Sequence, residues 1–472
     1  RTFNTGITVT TFPLSFLIMI VDADFFKNRQ KNYLHFDYPI QPQKIFDYVT
    51  DPKNIEKHAF YPFIHFELTS RKIKKDRTKV IKIKGKKNRF AIIKCEPKIR
   101  PIKYSSHIDG HIYAYYANLL IPNYEKLLES SNLSDSILAF RKLPHSPNNI
   151  HFAKNVFDEI KIRQECSVLC IDIKSFFDEL DHQLIKSAWL KVLGLEKLPN
   201  DHYNVFKSIT SFSFVHKKDV YQHLGLSINR HHKDLKRLCS SQDFREKIRK
   251  NKIIQKGNKG KGIPQGSAIS AFISNIYMLD FDENINNKVQ KVGGKYYRYC
   301  DDILIISDLK NSRPLLRDIQ SLIKNLKLEI QDKKTKIADF KEGIRVSTDE
   351  LQYLGFTYDG RKILLRDSGL AKYSHKVMKV VKMNNKHLLR INKSRIQRGQ
   401  EPLERHKKHI YRRFSFIGKR NYISYAIRAA SIMNEPAIKQ QIKPHWSKIQ
   451  MHIKKHDEFN KEYYLSESIN PK

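Results

Sequence analysis

A chain of 472 residues with 40% hydrophobic content can bury the cores of two or three compact units, which excludes a chain disordered throughout. Its 88 Lys and Arg against 48 Asp and Glu leave a net charge of +40, a self-repulsion that a polyanionic partner would relieve. Five scattered cysteines without a Cys-x-x-Cys pair argue against a disulfide framework and suit a reducing cytoplasm.

Residues 12–21 are apolar but too short to span a bilayer, and only Arg1 precedes them as a charged region, so no membrane association is expected. Met19 is expected to be the native start, which makes 1–18 an upstream remnant within a 1–30 leader. The segment 31–165 opens with Tyr33-Leu-His-Phe-Asp37 and takes helical spacing through Ile45, Phe46 and Val49. Alternation at Ile64, Phe66 and Leu68 reads as a strand that turns at Gly85-Lys-Lys-Asn88 and returns through Phe90. A buried helix is expected over 108–128, from Ile112, Tyr115, Tyr116, Leu119 and Leu120, with His107 and His111 as ordinary polar residues or phosphate contacts.

Residues 166–173 are nearly all apolar, as in a strand covered on both faces, with Cys166 and Cys170 as packing residues. Asp172 lies near its end, where a buried carboxylate is expensive unless paired or metal-bound. A helix is expected from about Asp181, then a mostly helical insert over 183–260 that ends in a basic loop at 255–261. In Lys261-Gly-Ile-Pro-Gln-Gly-Ser267, two glycines and a proline dictate a turn before an apolar helical run, and Gln265 can hydrogen-bond a ligand that approaches the small residues. Strand-like runs at 295–299 and 303–306 place Asp301 and Asp302 at a hairpin tip. Adjacent carboxylates repel unless a cation neutralises them, and hard divalent ions such as Mg²⁺ prefer such oxygens. From 361 to 472 the chain carries 27 Lys and Arg against 8 Asp and Glu. Helical stripes run through Val377, Val381, Leu388 and Ile391, and through 411–433.

In order, the Asp172 strand, the Gly-Ile-Pro-Gln-Gly-Ser turn and Tyr299-Cys-Asp-Asp302 resemble motifs A, B and C of a reverse transcriptase palm. Leu328-Glu-Ile-Gln-Asp-Lys-Lys334 resembles motif D, and Leu351-Gln-Tyr-Leu-Gly-Phe356 resembles the primer-grip motif E. The resemblance implies an α+β right-hand polymerase: fingers over 31–165, a palm over 166–360 with a fingers insert at 183–260, and a basic helical thumb over 361–472. It implies catalysis by Asp172, Asp301 and Asp302 with two Mg²⁺ ions, the carbonyl of Ile173 adding an oxygen. Lys98, Arg100, Phe177, Gln265 and Lys334 would bind the nucleotide, Phe177 as the aromatic gate against a ribose 2′-OH. Tyr353, Leu354 and Gly355 would form the primer grip.

Tyr33-Leu-His-Phe-Asp37, the 133–141 segment and the Tyr-Cys-Asp-Asp variant resemble the bacterial defence-associated reverse transcriptases, the type-2 class first, within the group II intron and retron superfamily. That class implies dNTP substrates, a structured non-coding RNA as template and scaffold, a cDNA product and a role in antiphage defence. The alternatives are an untemplated or protein-primed polymerase, a retron or group II intron type of enzyme, an RNA-copying RNA polymerase, and an idle RNA scaffold. Three intact aspartates argue against the scaffold, and the aromatic at 177 against the RNA polymerase.

Overall fold

A computed structural model describes residues 21–81, 89–230 and 232–469, with side chains outside 71–81, 89–95 and 465–469. The expected start at Met19, the 1–18 remnant and the turn at Gly85-Lys-Lys-Asn88 lie outside the described residues. The strands in chain order are β1 (Phe63–Ile81), β2 (Arg89–Tyr104), β3 (Cys166–Asp172), β4 (Ser213–His216), β5 (Gln255–Lys256) and β6 (Lys295–Tyr299). They continue with β7 (Asp302–Ser307), β8 (Lys336–Lys341), β9 (Ile344–Arg345), β10 (Leu351–Tyr353), β11 (Phe356–Tyr358) and β12 (Ile363–Leu365). Helices are interspersed with three separate sheets, so the architecture is α+β, as expected. Among the described residues, no helix is long and apolar enough to cross a membrane.

Two compact units are interleaved along the chain. The first holds residues up to Phe140, Ile173–Asn286 and Ile319–Ile330; the second holds Arg141–Asp172, Asn287–Asp318 and the remainder from Gln331.

In the first unit, a sheet in the order β2-β1-β4-β5 is built on the long β1–β2 hairpin. The insert over 183–260 is not all helix: β4 pairs parallel to β1 through Phe63↔Phe214, and Gln255 and Lys256 of the expected loop pair with β4. Four residues of β-branched and aromatic character (Ser213–His216) were too short a run to show against the surrounding helical pattern. The helix His107–Ser130 buries Ile112, Tyr113, Tyr116, Leu120, Tyr124 and Leu128, whereas Leu119 is exposed. His107 and His111 are core residues rather than surface polar groups: His107 stacks on Tyr33 at 5.0 Å, and burial pushes His111 down to about 4.

The opening segment Tyr33–Asp37 has a structural role here. Asp37 accepts the main-chain N–H groups of His107 and Ile108, both at 3.0 Å, which satisfies first-turn donors of the fingers helix beside the Ser106 cap. Phe36 enters a core with Ile64, Val215, Tyr221 and Phe244. His35 is fully buried, its Nδ1 accepts the Phe36 N–H at 2.9 Å, and burial, reinforced by His107, pushes it down to about 3. The unfolded chain, with a histidine pKa near 6.5, therefore binds more protons than the folded one between about 3 and 6.5, and stability falls as pH drops through that window. This single group should remove about 2 kcal/mol by pH 5. His35→Asn keeps an acceptor without the titration, so urea midpoints measured from pH 7 to 4 should fall less steeply than in the wild type. Parallel slopes would show that His35 does not titrate on unfolding.

In the second unit, a five-stranded sheet runs β6-β7-β3-β8-β9, antiparallel throughout, with β3 at its centre. Its core joins Val168, Leu304, Ile306 and Phe340 to the helix Asn149–Arg163 and to the β10-β11-β12 sheet. The basic C-terminal segment begins with the helix Asp367–Ile396, whose Val377 and Val381 pack with Ile410, Phe414, Ile449 and Ile453. The single helix expected over 411–433 is two, Lys408–Phe414 and Tyr422–Ile432. A Cβ at Gly418 would stand 1.7 Å from the Arg412 carbonyl oxygen, and Asn421 caps the second helix, so the chain must break between them.

Candidate active site

β3 delivers Asp172 at its last residue, directly opposite Asp302 at the first residue of β7. Opposed residues of an antiparallel pair project to the same face, with Cβ atoms about 5 Å apart. Tyr299 pairs with Asp302, so Cys300 and Asp301 form a two-residue hairpin loop. Cys300 has φ +60°, the left-handed conformation that such a tight loop requires and that a side chain makes costly. The turn is held from below by Arg298, completely buried, whose Nη1 donates to the Cys300 carbonyl at 3.2 Å.

Three carboxylates thus gather at one end of the sheet, and the charges register it. Asp302 is pushed up to about 7, first by the protein crowded around it and then by Asp301 and Asp172. Asp302 is nevertheless exposed to solvent at the sheet end. Asp301 is raised by burial and by Asp172. Burial, then Asp301, holds the Cys300 thiol up at about 12, so it is a neutral packing group. Relief comes from two cations: Lys334 donates to the Asp172 carboxylate, and Arg366 lies close enough to lower Asp302. The Gln331 N–H donates to the Asp172 carbonyl at 2.8 Å, which anchors the short 3₁₀ turn Asp332–Lys334 beside that carboxylate.

Among the described residues, no group of three or more His, Cys, Asp or Glu stands at metal-ligand spacing, and the Asp172 oxygen is taken by Lys334. The donor chemistry still fits a hard divalent ion: oxygen ligands only, on one sheet end, with Asp301 and Asp302 raised by burial and by their neighbours' charge.

The residues expected to form a primer grip divide. Tyr353 pairs with Phe356, so Leu354 (φ +44°) and Gly355 (φ +95°) are the loop of a type I′ hairpin. Asn149 donates to the Leu354 carbonyl at 3.1 Å and pins it. The Tyr353 side chain, by contrast, is buried in the palm core and not available to a primer. In a three-residue strand, positions 351 and 353 face inward together.

The remaining candidates lie in the first unit. Lys98 and Arg100 are exposed on β2, and being two apart they share a face. The Lys103 N–H donates to the Gln265 carbonyl at 2.9 Å, which joins this strand to the glycine-proline turn. Gly266 has φ +120°, and a Cβ there would stand 2.9 Å from the Lys103 carbonyl oxygen, so only glycine allows that approach. On the other side of the turn the Ile263 N–H donates to the Phe177 carbonyl at 2.9 Å. Phe176 is buried and Phe177 only half-buried, which leaves the ring of Phe177 free of the core. Ile173 is buried, and its main chain bridges Ile330. Asp181 caps the helix His182–Leu193, which starts where a helix was expected from about Asp181.

Sequence reasoning passed over Arg298, Arg366 and Lys103. Arg298 had a signal, since it alternates with the buried Tyr296 and so must face inward. Lys103 is buried beside the Phe212 and Phe214 rings, at 5.4 and 5.3 Å, and Arg366 had no local signal. Arg298→Met keeps the volume and removes the donor to Cys300, which should cost about 2 kcal/mol in urea unfolding. An unchanged midpoint would mean that the strained turn holds without it.

The pattern described as "Reverse transcriptase (RNA-dependent DNA polymerase)" matches residues 94–358. A curated relative, the Retron Se72 reverse transcriptase of Salmonella heidelberg (strain 579083-10), is 27% identical over 84 residues, 17% of this chain and 22% of that protein. Among solved structures, an apo telomerase from Candida tropicalis truncated from its C-terminal domain has a TM-score of 0.36 at 11% identity, over 63% of this chain and 57% of that one. A telomerase from Candida albicans in complex with a TWJ fragment of telomeric RNA has a TM-score of 0.35 at 12% identity, over 71% and 52%.

Proposed function

The chain belongs to the reverse transcriptase (RNA-dependent DNA polymerase) family, and from that premise we propose that it copies an RNA template into DNA with Asp172, Asp301 and Asp302 as its catalytic carboxylates. The observation that carries this is the register of β3 on β7, which sets Asp172 against Asp302 with Asp301 in the loop beside them. The three carboxylates would hold two Mg²⁺ ions, with the Ile173 carbonyl as a further oxygen. Such a pair supplies activation of the primer 3′-OH and neutralisation of the departing pyrophosphate.

Lys334, which donates to the Asp172 carboxylate, would meet phosphate charge when a nucleotide binds; that hydrogen bond supports the reading by keeping its ammonium beside the carboxylates. Lys98 and Arg100 offer exposed cations to the triphosphate, Arg100 with a bidentate fork. Gln265 borders the nucleotide, Phe177 excludes a 2′-OH, and Leu354 and Gly355 steady the primer end.

We place the chain with the bacterial antiphage reverse transcriptases, working in the cytoplasm on a structured non-coding RNA that the basic thumb grips. Support comes from the opening Tyr33-Leu-His-Phe-Asp37, from the retron relative, and from 27 Lys and Arg against 8 Asp and Glu over 361–472. Sequencing the nucleic acids that copurify with the wild type and with Asp301→Ala/Asp302→Ala tests it. One RNA should appear in both samples and its complementary DNA in the wild type only. DNA in both, or no common RNA, would refute it.

A further inference from the structure

The loop between the thumb helices Lys408–Phe414 and Tyr422–Ile432 exposes Phe416, 58% accessible, beside a groove of about 420 Å³. Ile423, Ile427 and Trp446 line the groove, and Lys439 and Lys443 stand at its edge. The Trp446 ring lies 5.3 Å from Phe416 and 4.9 Å from Tyr411, so three aromatic rings adjoin one another. The exposure is built in. Asn421 donates to the Ser415 and Gly418 carbonyls at 2.7 and 3.2 Å. His445 is bonded to the Phe414 carbonyl at 3.0 Å, and Gly418 admits no side chain. A loop fixed this firmly presents Phe416 at a set position.

We propose that this groove binds an unpaired nucleobase of an RNA strand, stacked on the open face of the exposed Phe416 ring that Trp446 backs, with the flanking phosphates on Lys439 and Lys443. The inference rests on the reading of the chain as an RNA-binding reverse transcriptase and adds a second contact, away from the carboxylates. Charge selects the occupant. Among the described residues no carboxylate lines the groove, and Arg412, Arg413, Lys419 and Arg420 flank its loop, all exposed. Every base has a π face, so aromatic rings among cations fit single-stranded nucleic acid without demanding a sequence. A regular duplex buries its base faces and cannot stack here.

The chain has two tryptophans, and Trp189 is completely buried, so quenching by a ligand reports on Trp446. A 12-nucleotide oligouridylate should quench the full-length protein, whereas a perfectly paired RNA duplex of equal length should not. Phe416→Ala, which removes an exposed ring, should weaken oligouridylate binding roughly tenfold. Extension of a pre-annealed DNA primer on an RNA template should be unchanged. Equal affinity in Phe416→Ala, equal quenching by the duplex, or quenching by an acidic apolar peptide in place of RNA would overturn the proposal. Wild-type quenching without any primer extension would instead remove the polymerase reading and leave the groove standing.

Discussion

Asp302→Asn should abolish nucleotide incorporation and at the same time make the protein more stable. Loss of a carboxylate that holds the metal ions removes several kcal/mol of transition-state stabilisation, so incorporation of a single dNTP should slow about a thousandfold or more. The folded state without metal, however, carries Asp302 at a loss, because Asp301 and Asp172 crowd it. With EDTA at pH 8, the variant should therefore melt above the wild type, by an amount that shrinks as salt screens the repulsion. Asp172→Asn should lose activity equally but gain less stability, since it also breaks the ion pair with Lys334. A variant both inactive and less stable would mean that Asp302 supports the fold rather than the chemistry.

Phe177→Ala should admit ribonucleotides. The ring is half-buried on the short helix Phe176–Glu179 and touches the Phe176 ring at 5.6 Å, its neighbour Phe176 takes the core position, and its main-chain carbonyl accepts the Ile263 N–H. Truncation therefore leaves the glycine-proline turn tied down and opens space for a hydroxyl. Discrimination between a dNTP and the matching rNTP, read as the ratio of kcat/KM, should fall on the order of a hundredfold. Most of the change should come from faster rNTP use. Phe176→Ala should instead lower stability and leave the ratio alone. Unchanged sugar selectivity in Phe177→Ala would assign that ring to packing.

The palm was legible in the sequence because its signals are local. An apolar run ending in Asp172, a strand-turn-strand around Asp301, and paired glycines about Pro264 each constrain the backbone within a few residues. Distant pairing was harder to see. β4 is four residues long and exists because β1 offers it an edge, which no window around 213–216 could show. The break at Gly418 was hidden by a stripe that keeps helical spacing across it. Burial also divided what sequence treated alike. Tyr353 and Leu354 read as one motif, yet one ring is in the core and the other residue forms the loop. His107 and His111 read as polar, yet a helix packed on aromatic residues carried both inside. Arg298 shows the reverse, a charge that alternation should have marked as buried.

The most direct measurement is single-turnover addition of one dNTP to a DNA primer on an RNA template, for the wild type and for Asp172→Asn, Asp301→Asn and Asp302→Asn in turn. The wild type should extend the primer only when Mg²⁺ is supplied, and all three variants should be about a thousandfold slower while remaining folded. Extension in EDTA, or near-normal extension by Asp172→Asn, would contradict a catalytic centre shared by these carboxylates.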